Sequence, residues 1–472
     1  MKPRYIFPIL AMLLLLVLAG SPALGYDGGP PILPHAPGQE GPPPEPCKNP
    51  KCCEQPGAPS WSVNMVNLNL YMADTPLWYT VPVGPPVRLR LSYNSMAPVS
   101  GQELFGNKWS FAYSSFLDVD GQGNVTLTLG DGRSFTYPAT DSGYGHPYRN
   151  TTTLVKVADN HFEIHYFSGK VRVYDHVAAS GRILLTAIRD VHNQSVTLSY
   201  DGQDRLESIT DALGNTTTLL YNGDNLVRQM DGPFSRSATF TYDSNRNLTA
   251  ITDMGGYRTR LEYDAASLLT ALVNDAGRTE FYIEPADHTG SSQNYPPPGA
   301  AMKESSRITL THPDGGREEF YYIGTGGYSW HVAPEDYIEY RDASHNNYTA
   351  ARTVYHFADT AAGARAEISS ITYPDGRKRL FSIDHDTGRI LSEADAASNS
   401  ESLTYNAQGS VLTRTLANGE QITYEYEANG IDRNKMITSL GTTQYTHDDQ
   451  HQLTSVTDPL GHTSTYQYNS LG

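Results

Sequence analysis

Cysteine is nearly absent: there are three in 472 residues, and Cys47, Cys52 and Cys53 all fall inside PCKNPKCCEQPG. They allow either a small disulfide knot in an oxidising compartment or a partial metal site. Three thiols leave one over, and no histidine completes a zinc spacing. Beyond Cys53 no covalent staple can hold the fold. Basic runs are missing too. The formal charge is −17 and Lys and Arg nowhere cluster, which argues against a nucleic-acid binder. Hydrophobic residues reach only 38%, a thin supply for a thick core, and Phe (13) is scarce beside Tyr (32). Tyr has an apolar ring and a polar tip, which suits a sheet that is half buried and half wet. A helical hydrophobic period of useful length is lacking. So are Gly-x-Ser-x-Gly, a phosphate loop and His-Glu-x-x-His. The reading is no enzyme, no cofactor and no metal site.

The one long apolar run stands at the start. In MKPRYIFPILAMLLLLVLAGSPALG, Lys2 and Arg4 precede an apolar stretch from Ile6 to Ala19, and Ala23-Leu24-Gly25 follows. That order predicts a signal peptide over 1–25 and cleavage before Tyr26. The run is shorter than the roughly 20 residues a spanning helix needs. The expected location is secreted or cell surface, without a stable transmembrane anchor. Residues 26–60, with GGPPILPHAPGQEGPPPEP, read as an extended Pro/Gly-rich linker.

From Trp61 the pattern is β. VRLRLSYNS alternates with Val87, Leu89, Leu91 and Tyr93 on one face, and NVTLTLGDGRSFTYP reads as a hairpin. RITLTHPDGGREEFYY and ISSITYPDGRKRLFSI repeat that device. The dominant feature is an internal period of 21 residues. Tyr200, Tyr221, Tyr242 and Tyr263 mark a first block, and Asp384, Tyr405, Tyr426, His447 and Tyr468 a second. Six residues after each first-block Tyr come Leu206, Val227, Leu248 and Leu269; nine after come Ile209, Met230, Ile251 and Leu272. Nineteen after come Leu219, Phe240, Leu261 and Tyr282. Fourteen after the repeat Tyr stand Gly214, Ser235, Gly256 and Gly277, and Gly419 and Gly461 hold that place in the second block. The unit at Tyr426 fits worst, with Leu440 at the glycine position.

One unit is therefore two strands and two tight turns, with glycine where a left-handed residue is needed. Positions 19 and 21 share a face. Positions 6 and 9 cannot share one in a regular strand, so either a bulge intervenes or both faces are partly covered. Hairpin after hairpin predicts an all-β fold: one long antiparallel sheet that curls to protect its apolar face.

YDGQDRLESITDALGNTTTLLY and HDDQHQLTSVTDPLGHTSTYQY resemble the YD repeats of the Rhs family, which includes bacterial Rhs and wall-associated proteins, toxin-complex C components and teneurins. LSYNS, FGNKWS and DGRSFTY are similar to the segment preceding such repeats, with Lys108 where Gly usually stands before Trp. The resemblance implies a strip of hairpins that spirals into a shell. It implies as partners an enclosed toxin or effector domain, or the remaining repeats of a longer chain, with a surface glycan or protein as the adhesion alternative. The expected division is an N-terminal β region over 61–178, a first repeat block over 179–283, an insertion with irregular hairpins over 284–383, and a second block over 384–472. The last unit has five residues from Tyr468, so the second block reads as truncated, the N-terminal part of a longer protein.

Three motifs compete with bland readings. Asp458-Pro459-Leu460-Gly461 matches half of the family's self-cleavage signature, but it is the chain's only Asp-Pro and sits at the repeat's turn position. His161, Glu163 and His165 share a strand face, and Asp118 and Asp120 occupy calcium-loop positions without the closing carboxylate. An ordinary turn, an exposed strand and a β-turn are the respective expectations.

Overall fold

The computed structural model describes residues 59–101, 103–148, 150–284, 306–323, 328–337, 351–358 and 367–469. The signal-peptide reading, nearly all of the linker, Cys47, Cys52, Cys53 and parts of the insertion (285–305, 324–327, 338–350 and 359–366) lie outside the described residues. Among those residues no helix is long and apolar enough to cross a membrane.

A four-stranded antiparallel meander comes first: β1 (Ser60–Val63), β2 (Leu70–Tyr79), β3 (Val87–Asn94) and β4 (Trp109–Phe111), paired in that order. The alternation of VRLRLSYNS has the predicted effect, burying Val87, Leu89, Leu91 and Tyr93 completely. Next come β5 (Phe116–Val119), β6 (Val125–Thr128) and β7 (Ser134–Tyr137), and a short hairpin of β8 (Ala139–Thr140) and β9 (Gly143–Tyr144). From β10 (Thr153–Ala158) to β36 (Thr463–Thr465) each strand pairs with the next, and β5 joins β13 (Ile183–Arg189) through Ile183 opposite Leu117. The result is a 30-stranded antiparallel sheet, an all-β fold not closed into a barrel.

Why each unit buries both position 6 and position 9 is now visible. Tyr200 faces Leu206 and Ser199 faces Ser208, so Glu207 is an extra residue on the second strand. This bulge turns Leu206 to the same side as Ile209, and both are buried. The same shift recurs at Tyr221/Val227, Tyr242/Leu248, Tyr263/Leu269, Tyr405/Val411 and His447/Leu453. Of the two alternatives, the bulge is the one the fold uses.

Two elements depart from the sequence register. The unit at Tyr263 turns on two residues, Asn274 pairing directly with Gly277. The shortened turn slips the return strand by one, which exchanges its faces. Phe281 is therefore inside at 3% exposure, and Tyr282, expected in the apolar column, is outside at 61%. Gly277 itself differs from Gly214, Gly256, Gly419 and Gly461: its φ is 118°, theirs 83–88°. The unit at Tyr426 likewise closes with Thr438 opposite Gly441, so Gly441 takes the turn role and Leu440 projects into solvent.

The sheet curls. Gln452 Nε2, in the turn after β34 (Gly441–His447), lies 3.0 Å from His192 Nε2, in the turn before β14 (Ser195–Tyr200). The intervening strands, spaced about 4.8 Å, trace a path of roughly 100 Å, or a ring roughly 30 Å across. The outer face is lined by hydroxyl pairs such as Thr210/Thr216, Thr241/Thr249 and Thr457/Thr463. Threonine favours strands and tolerates water, which accounts for the low hydrophobic fraction.

Candidate functional site

The repeat tyrosines form a ladder along one rim. Tyr200 Oη donates to the Leu185 carbonyl at 2.6 Å. Tyr221 donates to Leu206 and Tyr242 to Val227, each at 2.6 Å. Tyr263 reaches Leu248 at 2.9 Å, and Tyr405, Tyr426 and Tyr468 reach Ile390, Val411 and Leu453 at 2.7 Å. Each acceptor is fifteen residues upstream, at position 6 of the preceding unit. The ring fills the half-buried rim while its hydroxyl satisfies a carbonyl there, a pairing Phe cannot make. Burial pushes the Tyr221 and Tyr263 phenols well above their ordinary range, so they remain donors at every physiological pH. His447 holds the Tyr place in its unit, and its buried Nδ1 has no hydrogen-bond partner.

The Asp or Asn that follows most repeat tyrosines works on the turn. Asp243 Oδ1 accepts from the amides of Asn245 and Asn247, and Asp264 Oδ1 from those of Ala266 and Leu268. Position 14 turns use the same device: Asp211 Oδ1 caps Leu213 and Asn215, while Gly214 and Gly256 supply the positive φ. Asp458 belongs to this set. Its Oδ1 caps Leu460 and His462, its Oδ2 meets His462 Nδ1 at 2.9 Å, and the His462 hydrogen bond holds its carboxyl below the usual range. A carboxylate committed to its own turn is a poor nucleophile. Asp120 caps Gln122 and Asn124 in the same way. In the His161–Glu163–His165 stretch, Glu163 is taken by Arg189 and by His165 Nε2 at 2.8 Å.

Sequence reasoning missed what covers the inner face. The N-terminal meander is not a separate layer; it plugs the first repeat block. Phe105 meets Phe240 edge-on at 5.1 Å between centroids, and Trp61 meets Phe281 at 6.1 Å. Trp109 Nε1 donates to Tyr263 Oη at 2.9 Å, and Tyr93 Oη accepts from the Leu269 amide at 3.0 Å. Backbone bonds seal the seam: Val227 N to Leu104 O, Met254 N to Pro76 O and Asn107 N to Arg246 O. Beneath the plug, Leu219, Met230, Phe240, Ile251 and Leu261 are buried in one continuous core. Lys108 adopts φ 63°, the left-handed conformation that glycine takes without strain, and its ammonium donates to the carbonyls of Ser95 and Ala97 at 2.8 and 2.7 Å. Those bonds offset the strain and fix the turn that delivers Trp109.

The second block presents a different inner face. Equivalent positions mix Glu393, Glu401, Arg414, Tyr424 and Tyr445 with apolar Ile390, Leu403, Val411, Ile422, Met436, Leu453 and Val456, all half-buried or exposed, while Thr443 opposite Met436 is buried. Arg379 pairs with Glu393 and Arg414 with Glu401, each at 2.7 Å, and Arg433 lies 4.7 Å over the Tyr445 ring. Among the described residues, nothing packs over this surface as the meander packs over the first block.

An antiparallel hairpin ribbon, stapled by tyrosines and filled by its own N-terminal sheet, defines a repeat scaffold. The RHS Repeat family matches residues 179–216, 245–279 and 438–472, and a domain of unknown function, DUF6531, matches 62–137. The chain carries RHS (YD) repeats at these three places. No curated protein matches it. Among solved structures it is similar to the TcdB2-TccC3-TEV complex, with 11% identity over 85% of this chain and 24% of that one and a TM-score of 0.31. The TcdB2-TccC3-Cdc42 complex gives 11% identity, 82% and 22% coverage and a TM-score of 0.29. A Photorhabdus luminescens Tc holotoxin pore gives 11%, 79%, 22% and 0.25. The chain spans under a quarter of the length of these structures.

Proposed function

We propose that the protein is an exported, non-catalytic RHS-repeat scaffold whose second block receives a passenger on its inner face. The passenger is a hydrophilic protein segment, either an effector domain or further chain. One observation carries the reading: the two blocks share one ladder and one bulge pattern, yet only the first has its inner face filled. Tyr, Arg and Glu side chains replace some of the Leu and Phe of the first block, so this surface suits a folded, wet partner. The RHS repeats support the scaffold class, and the basic, apolar and small-residue order before Tyr26 supports export. The division into N-terminal region, first block, insertion and second block is part of the same proposal.

A photo-crosslinking amino acid at Tyr424 or Tyr445, in the native secreting cell, tests the passenger. Adducts of one discrete mass are expected there and not from Thr126 on the outer face. The same adducts from both faces, or none from either, would count against it. N-terminal sequencing of secreted material should begin at Tyr26; recovery of Met1 in membranes would remove the export claim.

A further inference from the structure

A cleft of about 300 Å³ opens at the seam between plug and ribbon, lined by Gly101, Leu104, Gln203, Arg205, Asn225 and Arg246. Its ribbon wall comes from one column of three successive Y–D turns, so three units offer side chains at one spot.

The hydrogen bonds fix what that wall presents. Arg205 is consumed: Nε and Nη2 bind Asp201, and Nη1 donates to Asn225 Oδ1 at 2.7 Å. With its oxygen taken, the Asn225 amide has only its NH2 to offer. Arg246 is held by Nη1 on the Asp224 carbonyl at 2.7 Å, its Nε is buried without a partner, and no carboxylate pairs with it among the described residues. Most neighbouring carboxylates are spent elsewhere. Asp201 is on Arg205, Asp204 on His176 and the Ala179 amide, and Asp243 on its own turn. Two remain: Asp224, exposed to solvent on the rim, and Glu103, next to the lining residue Leu104, whose Oε1 is held by Ser100 while its Oε2 has no hydrogen-bond partner. The cleft is thus bounded by an unneutralised guanidinium and an amide donor, with Gln203 beside them. Arg246 also has φ 67°, in a column where the other units place Asp204, Asn225, Ser267, His451 or a glycine (Gly388, Gly409, Gly430). A long side chain in that conformation costs about 1–2 kcal/mol, and such strain is tolerated most often where a side chain has a task.

We propose that this cleft binds a small oxyanion, the carboxylate or phosphate of a sugar-sized ligand, with Arg246 as its charge partner and Asn225 Nδ2 as a second donor. Because plug and ribbon both line the cleft, an occupant would also tie them together.

The test is calorimetric titration of the secreted chain with inorganic phosphate and, separately, with galacturonate. Saturable binding of at least one is expected, weakening with added salt, and at least tenfold weaker in Arg246→Gln with partial recovery in Arg246→Lys. Tighter galacturonate points to an acidic sugar and tighter phosphate to a phosphoryl group. Should Arg246→Gln fail to fold, Asn225→Asp serves: it keeps the acceptor for Arg205 but turns the donor into a like charge, and should abolish binding. An Arg246 needed only for the fold would lower the melting temperature and leave anion affinity unchanged. That result, or the absence of saturable binding by either probe, would overturn the proposal.

Discussion

Trp109 and Tyr263 share one hydrogen bond that joins plug to ladder: the indole Nε1 donates to the phenol at 2.9 Å, and the same phenol donates onward to the Leu248 carbonyl at 2.9 Å. Tyr263 therefore serves two neighbours with one hydroxyl, whereas Tyr221 serves Leu206 alone. We predict that Tyr263→Phe destabilises more than Tyr221→Phe. Each change strands a carbonyl, at about 1 kcal/mol, and Tyr263→Phe also strands a buried indole N–H for about 1–2 kcal/mol more. Tyr468→Phe, at an exposed rung, should cost least. Urea denaturation of the three variants measures the order; equal midpoints would show that the hydroxyls carry no weight.

The two-residue turns make a second prediction. A Cβ on Gly277 would lie 2.7 Å from Pro313 Cβ, in a conformation of φ 118°, whereas one on Gly214 meets nothing within 4 Å. Gly214→Ala should cost about 1 kcal/mol from its positive φ alone, and Gly277→Ala about 1–3 kcal/mol more from the clash. Gly441, facing Pro459 in the same way, should behave like Gly277. Thermal melts decide it, and a Gly277→Ala protein as stable as Gly214→Ala would refute the slipped register.

Much of this was legible beforehand, and the exceptions have physical reasons. Period, strand pairs and turn glycines follow from local chemistry repeated every 21 residues. The slip at Tyr282 was hidden because Asn274-Asp275-Ala276-Gly277 keeps a glycine in the expected place while closing a shorter turn. The plug was hidden because packing Phe105 on Phe240 joins residues far apart in sequence, and no pattern within either segment encodes the other. The strongest clue was FGNKWS itself: a lysine at a left-handed position before tryptophan marks a turn held by something other than local propensity.

The seam should also respond to pH. Asp74 lies at the β2 bulge that presents Pro76 to Met254, and burial, with Asp253 adding like charge, raises its carboxyl from 3.8 to about 6. A carboxyl raised in the fold disfavours its charged form there. Stability from this group is therefore full below pH 3.8 and declines as pH rises through about 6, by as much as about 3 kcal/mol. Asp74→Asn should raise the melting temperature at pH 7.5 and change little at pH 4. Turn carboxylates such as Asp395, lowered first by its Asn399 hydrogen bond, act with the opposite sign, losing their contribution as pH falls through their depressed values. A melting temperature equally altered by Asp74→Asn at both pH values would contradict the assignment.

The central claim is that one repeat architecture carries a filled inner face in its first block and an open one in its second. Met230 and Met436 occupy corresponding inner positions, Met230 opposite Ala238 beneath the plug and Met436 opposite Thr443 on the uncovered side. Hydroxyl-radical footprinting read by mass spectrometry compares them within one molecule. The account predicts rapid oxidation of Met436 and strong protection of Met230, with protection lost when Trp109→Ala loosens the plug. Equal oxidation of both methionines in the intact protein would contradict it.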